Sequence, residues 1–372
     1  MSTFTTRDGV SIHYKDWGAG RPVVFIHGWP LNADMWDVQM HHLASNGFRC
    51  IAYDRRGFGR SGQPWTGYDY DTLADDLATL IETLGLRDVT LVGFSMGGGE
   101  VARYIGRHGA RHVAKAVLIG SVTPLVARRD DHLDGVDVAV FDGIRSAIVA
   151  DRAAFFEQFW PLFTGSNRAD STISRAALDW TSFMALQAGL KGTLDCVRAF
   201  SETDFRADLD QFDVPTRVIH GDDDQTAPLA LTGAATAARV PHATLSVYEG
   251  GPHALYLTHA QRLNDELVEI RPEIGFGKCP DAIERALQSG LQRHERSPVE
   301  RGARDRRIRP VRTGEQRPEL LEECRAVRHD GRANAVEHLT VPIIRINIRS
   351  RCRSMGGQIE VALDSASINA ID

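Results

Sequence analysis

The chain has 372 residues, 42% of them hydrophobic and 25% charged, with a formal net charge of −6; these values exclude a wholly disordered, collagen-like or disulfide-scaffold protein. So mild a charge gives no ground for nucleic acid or an acidic surface as the main partner. The five cysteines, Cys50, Cys196, Cys279, Cys324 and Cys352, form no C-x-x-C pair, so neither a disulfide framework nor a zinc site is suggested and a reducing cytoplasm is the expected compartment.

The opening residues Met1 to Gly9 lack the apolar core of a signal peptide, and no stretch approaches the roughly 18 apolar residues of a spanning helix, so a soluble protein without membrane attachment is expected. Short β-rich runs then recur, each bounded by turn residues: Ser11–Trp17, Pro22–His27, Phe48–Tyr53, Val89–Gly93, Ala114–Ile119, Thr216–His220 and Thr244–Tyr248. Most are near-continuously apolar, as strands buried on both faces should be. Between them lie helical patterns such as Thr72–Leu84, whose Leu73, Leu77, Leu80, Ile81 and Leu84 share one face. Strand alternating with helix predicts an α/β fold with a mostly parallel sheet flanked by helices. The alternation breaks at about 123–203, a helix-like stretch carrying Phe141, Phe155, Phe156, Phe159, Trp160, Phe163, Trp180 and Phe183. It reads as an inserted helical cap whose rings mostly pack on one another and on the sheet.

Near residue 270 the charge changes sign: residues 1–270 hold 24 Lys+Arg and 34 Asp+Glu, whereas 271–372 hold 19 and 15. Of those 19 basic residues 18 are Arg, and Phe276 is the one aromatic, so this segment cannot easily fill a core. Its Arg runs, Arg301 to Arg309 and Arg349 to Arg353, also admit a nucleic-acid tether. The favoured reading is a 1–270 α/β domain followed by a 271–372 Arg-rich extension, poorly ordered or frame-shifted from a GC-rich gene. Val341–Ile348 and Ile359–Leu363 are the pieces within it that could form a strand.

The chemistry centres on Gly93-Phe94-Ser95-Met96-Gly97, which ends a strand and opens a helix. A nucleophile on so sharp a turn holds a strained backbone, and small residues two places to either side avoid the neighbouring strand and helix. A serine hydroxyl needs a base, and the base needs a carboxylate to fix its tautomer. After a later strand comes His220-Gly-Asp222-Asp223-Asp224-Gln-Thr-Ala-Pro228. Asp224 is chosen as the acid because the loop needs room to turn after Gly221, and Asp222 is read as loop-capping. His253, on the loop after the last strand, is the expected base. The second requirement, an oxyanion hole, falls to the backbone N–H groups of Met96 and of Trp29 in His27-Gly28-Trp29-Pro30. His27 is read as ordering that loop, and the Pro30 carbonyl as an acceptor able to face a bound nucleophile. His41 and His42, in a helix-like stretch, suggest no metal site, and no metal is expected.

With those four segments and Asp54-Arg-Arg-Gly57-Phe-Gly59-Arg60-Ser61, residues 1–270 resemble the bacterial cofactor-free haloperoxidase and aryl esterase branch of the α/β-hydrolases. The resemblance implies an α/β-hydrolase fold with Ser95 as nucleophile, Asp224 as acid, His253 as base, and Trp29 with Met96 as the oxyanion hole. It implies hydrolysis of small or aryl esters, and perhydrolysis, in which hydrogen peroxide attacks the acyl-enzyme and the peracid formed oxidises halide, so that no cofactor is needed. The expected partners are a small ester or carboxylic acid with water or peroxide, with a homo-oligomer allowed. Phe94, Phe141, Phe159 and Trp160 are pocket candidates. Thr226-Ala227 replaces a bulkier aliphatic pair beside the acid, which widens the pocket. The alternatives are a plain carboxylesterase, a lactonase or a carbon–carbon bond hydrolase with the same triad, and a non-catalytic ligand sensor on the same fold. Ser at position 95 excludes the relatives with an aspartate nucleophile.

Overall fold

The computed structural model describes residues 2–269 and, further along the chain, residues 354, 355, 358 and 359. Two antiparallel strands, β1 (Ser2–Thr5) and β2 (Ser11–Gly18), lead into β3 (Arg21–Ile26), a short 3-10 turn, α1 (Asp37–Ser45) and β4 (Phe48–Tyr53). Next come α2 (Tyr70–Thr83), β5 (Val89–Phe94), α3 (Met96–His108) and β6 (Val113–Ile119). The cap helices α4 (Val138–Thr164), α5 (Arg175–Leu186) and α6 (Leu190–Glu202) follow, then α7 (Arg206–Leu209) and β7 (Thr216–Gly221). α8 (Gly233–Arg239), β8 (Thr244–Tyr248), α9 (Leu255–Thr258) and α10 (Ala260–Glu269) complete the first stretch.

The eight strands form one sheet in the order β1-β2-β4-β3-β5-β6-β7-β8, parallel from β4 through β8. The last four residues of β3, β4, β5, β6 and β7 are all buried, because helices cover both faces. β8, at the edge, leaves Leu245 and Val247 39% exposed. In α2 the stripe Leu73, Leu77, Leu80 and Ile81 is buried, and Asp69 caps the helix by accepting the Thr72 N–H at 3.0 Å.

The chain leaves β3 for β4 on one side and returns to β5 on the other, so the strand order reverses at β3. The crevice beyond the carboxyl ends of β3 and β5 is where such sheets place a ligand site. The β3 end carries His27 to Pro30 and the β5 end carries Ser95. Above the same edge lies α4, broken at Asp151 (φ −157°, ψ 98°), whose carboxylate caps the second half by accepting the Ala154 N–H at 2.9 Å.

Two features differ from the sequence expectation. β1 was not foreseen, since only Phe4 of its four residues is buried and no alternation can register over so short a span. The stretch 123–137 before α4 is irregular rather than helical. The Arg-rich extension expected over 271–372, including Val341–Ile348, lies outside the described residues apart from β9 (Ser354–Met355) and β10 (Gln358–Ile359), which pair antiparallel. Among the described residues no helix is long and apolar enough to cross a membrane.

Candidate active site

Ser95 occupies the junction of β5 and α3 with φ 52° and ψ −117°, a region that costs a non-glycine residue about 1–3 kcal/mol. Its flanking glycines explain how the turn fits. A Cβ on Gly93 would come within 2.4 Å of the Gly97 carbonyl oxygen, and one on Gly97 within 2.3 Å of the Ile26 carbonyl oxygen. Ser95 precedes α3 without capping it, so its hydroxyl is left for other partners.

His253 Nε2 lies 2.9 Å from Ser95 Oγ, and His253 Nδ1 lies 2.6 Å from Asp224 Oδ2. The tautomer that fits carries its proton on Nδ1, donated to the carboxylate, leaving Nε2 to accept from the serine. The imidazole is 3% exposed, with its ring centroid 4.8 Å from that of Phe94 and 5.0 Å from that of Phe163. Beneath it, Gly120 leaves just enough room: a Cβ there would stand 3.3 Å from the ring.

Of the three aspartates only Asp224 turns inward. Burial works to raise its pKa, but the positive ends of His253 and His220 and their hydrogen bonds prevail, and it lies below the usual carboxylate range. Its Oδ1 accepts from the Thr226 and Ala227 N–H groups at 2.9 and 2.7 Å and from the Thr226 hydroxyl at 3.0 Å. Asp222 accepts the Gly250 N–H at 2.7 Å, and Asp223 pairs with Arg168 at the surface. Sequence reasoning missed two neighbours of Asp224. One is the Thr226 hydroxyl. The other is His220, whose Nε2 lies 2.8 Å from the Ala227 carbonyl and 3.2 Å from Asp224 Oδ2.

The His27–Pro30 loop sits beside Ser95: a Cβ on Gly28 would lie 3.1 Å from the Ser95 Cβ. The Met96 N–H, first in α3, has no carbonyl one turn back to receive it, and the Trp29 N–H donates to no acceptor among the described residues. Trp29 is pinned to the cap, its indole N–H donating to the Thr193 carbonyl at 3.0 Å and its ring against Phe155, Phe156, Phe159 and Phe200. Pro30 is buried behind it and does not line the cavity.

Ser95 and His253 open into a cavity of about 490 Å³ lined mainly by apolar side chains. Phe141 and Phe159 line it; Phe94 and Trp160 do not, which corrects two of the four pocket candidates. Phe94 lies wholly buried under His253, and Trp160 faces away, stacked on Phe156 with its indole N–H on the Ser182 hydroxyl at 2.7 Å. Phe155, Gln158, Phe159, Leu162 and Phe163 stand at i, i+3, i+4, i+7 and i+8 of α4 and all face the cavity, whereas Phe156 and Trp160 fall on the adjoining stripe, packed against Phe155, Phe159 and Phe163 from the side. Thr226 and Ala227 lie on the wall beside Asp224.

The model of the family described as alpha/beta hydrolase fold matches residues 21–260. A non-heme chloroperoxidase, CPO-A1, of Kitasatospora aureofaciens is 46% identical over 272 residues, covering 73% of this chain and 99% of that protein. A bifunctional esterase/perhydrolase of Acinetobacter calcoaceticus is 42% identical over 273 residues, covering 72% and 98%. Among solved structures, a bromoperoxidase from Bacillus anthracis superposes with a TM-score of 0.69 at 44% identity, over 72% of this chain and 99% of that one.

Proposed function

This chain belongs to the α/β-hydrolase fold family, and from that premise we propose that Ser95, His253 and Asp224 run its chemistry as a serine esterase and perhydrolase with cofactor-free haloperoxidase activity. The observation that carries the reading is the unbroken line from Ser95 Oγ through His253 to Asp224, with spacings of 2.9 and 2.6 Å. Ser95 Oγ attacks the ester carbonyl while His253 Nε2 takes its proton. The carbonyl oxygen, now negative, is received by the N–H groups of Trp29 and Met96 at the positive end of α3. Collapse expels the alcohol, which takes the proton from His253, and leaves an acyl-serine.

Water or hydrogen peroxide then gives a proton to His253 and attacks the acyl carbon, releasing acid or peracid and restoring the serine. The peracid oxidises halide and is itself reduced to the acid. That a relative is named an esterase/perhydrolase and others non-heme chloroperoxidases supports the peroxide branch. The apolar cavity favours uncharged ester groups. A reducing cytoplasm fits Cys50 and Cys196, both buried and free. The test is stoichiometric labelling by a fluorophosphonate. One label per chain, on Ser95, is expected; a label on another residue overturns the assignment of Ser95, and no label at all favours a ligand sensor.

A further inference from the structure

Behind the oxyanion loop lies a chain of buried polar groups that the acyl transfer does not use. His27 and Glu100 are fully buried, and Tyr53 and Arg55 are 1% exposed. Arg55 Nε donates to Glu100 Oε2 at 2.8 Å, and the Tyr53 hydroxyl donates to Glu100 Oε1. From the same arginine, Nη2 donates to the His27 carbonyl at 2.9 Å and the backbone N–H donates to His27 Nε2 at 2.9 Å. Since Nε2 accepts, the imidazole proton is assigned to Nδ1, which donates to the Gly28 carbonyl at 2.9 Å. Arg55 Nη1 lies 3.4 Å from the same Nδ1, a longer contact than the one to the Gly28 carbonyl, and a second proton on this ring is opposed by burial and by the Arg55 charge.

The Gly28 carbonyl also accepts the Leu31 N–H at 3.0 Å. That carbonyl and the Trp29 N–H are the two ends of a single planar peptide and point in opposite directions across it. Donors that hold the carbonyl therefore aim the N–H and polarise it. Glu100 stands little more than one turn beyond Ser95 in α3, and α3 approaches the same loop closely enough that a Cβ on Gly97 would lie 2.9 Å from the His27 carbonyl oxygen. A buried ion pair is seldom the most stable way to fill a core, since apolar side chains of similar volume often serve as well or better. Here its geometry links the nucleophile helix to the loop opposite.

We propose that the Arg55–Glu100 pair is a positioning device that acts through His27 to fix the Gly28–Trp29 peptide against α3, so that the Trp29 and Met96 N–H groups converge on one oxygen. The inference rests on Ser95 being the nucleophile. Its test is Glu100→Gln, with rates expressed per serine titrated by a fluorophosphonate. For p-nitrophenyl butyrate kcat should fall by about 10- to 100-fold while KM stays within about twofold. The Kd of phenylboronic acid, whose tetrahedral serine adduct places an oxygen between the two donors, should rise by a similar factor. If Glu100→Gln yields no folded protein, the double variant Arg55→Met/Glu100→Met, which leaves no unpaired charge, carries the same expectation. Unchanged kcat per titrated serine and unchanged boronate affinity would overturn the proposal, leaving the pair a role in the fold alone. Ser95→Ala is measured beside it. An inactive Ser95→Ala with a fully active Glu100→Gln rejects only the pair's role, whereas an active Ser95→Ala rejects the triad itself.

Discussion

Asp222, Asp223 and Asp224 are chemically identical in sequence and separated in space by a turn. Only Asp224 meets an imidazole, at 2.6 Å, while Asp222 holds the Gly250 N–H and Asp223 an exposed arginine. Removing the charge of the carboxylate that orients a catalytic histidine costs on the order of 10⁴-fold in kcat, so Asp224→Asn should lose about that much ester hydrolysis. Asp223→Asn, at a surface ion pair worth little, should stay within about twofold of the parent. Steady-state hydrolysis of p-nitrophenyl acetate by the two variants checks this, and the reverse order would move the acid to Asp223. Ser95 and His253 were legible because each sits where chain order and turn chemistry demand it, between small residues or on the loop before a final helix. His220 and the Thr226 hydroxyl were not, because they reach Asp224 through space and nothing in their local pattern marks that contact.

At the scale of elements, the parallel strands were legible from their apolar runs and α2 from its stripe, but not the face that each cap helix turns to the cavity. Phe159 and Trp160 are adjacent in sequence and about 100° apart around α4, so one lines the cavity and the other packs away from it. Phe159 stacks on Phe155 at 5.7 Å and meets the edge of Trp29 at 5.9 Å. Phe159→Ala should therefore enlarge the cavity at a stability cost of about 2 kcal/mol, less than for a fully buried ring. The ratio of kcat/KM for p-nitrophenyl octanoate over acetate should rise severalfold. A lower ratio would place the acyl group elsewhere.

For the whole molecule, pH links folding to the buried histidines. His27 is held far below its ordinary pKa of 6.5, chiefly by burial and then by the Arg55 charge. Below about pH 6.5 the unfolded chain gains a proton there that the folded one refuses, so His27 contributes stability at neutral pH that is lost on acidification, at up to about 1.4 kcal/mol per pH unit. His13, His112 and His259 are shifted the same way, each chiefly by desolvation. Asp224 is also depressed, so its stabilisation persists until the pH falls below about 4 and is lost beneath that. Asp76, whose carboxyl pKa burial raises to about 6, works the other way over this range, so the readout is the difference. In urea unfolding the pH slope between 7 and 5 should be about one proton shallower in His27→Gln than in the parent, and equal slopes would contradict the burial of a neutral imidazole.

The same molecule is read as performing two reactions through one intermediate, and the parallel loss of both is the most direct test. Hydrolysis of p-nitrophenyl acetate and peroxide-dependent bromination of monochlorodimedone in acetate buffer are measured on the parent and on Ser95→Ala. Both activities should be present in the parent and fall together by about 10⁴-fold or more in the variant. Bromination that survives the loss of Ser95 would show that halide oxidation does not pass through an acyl-serine.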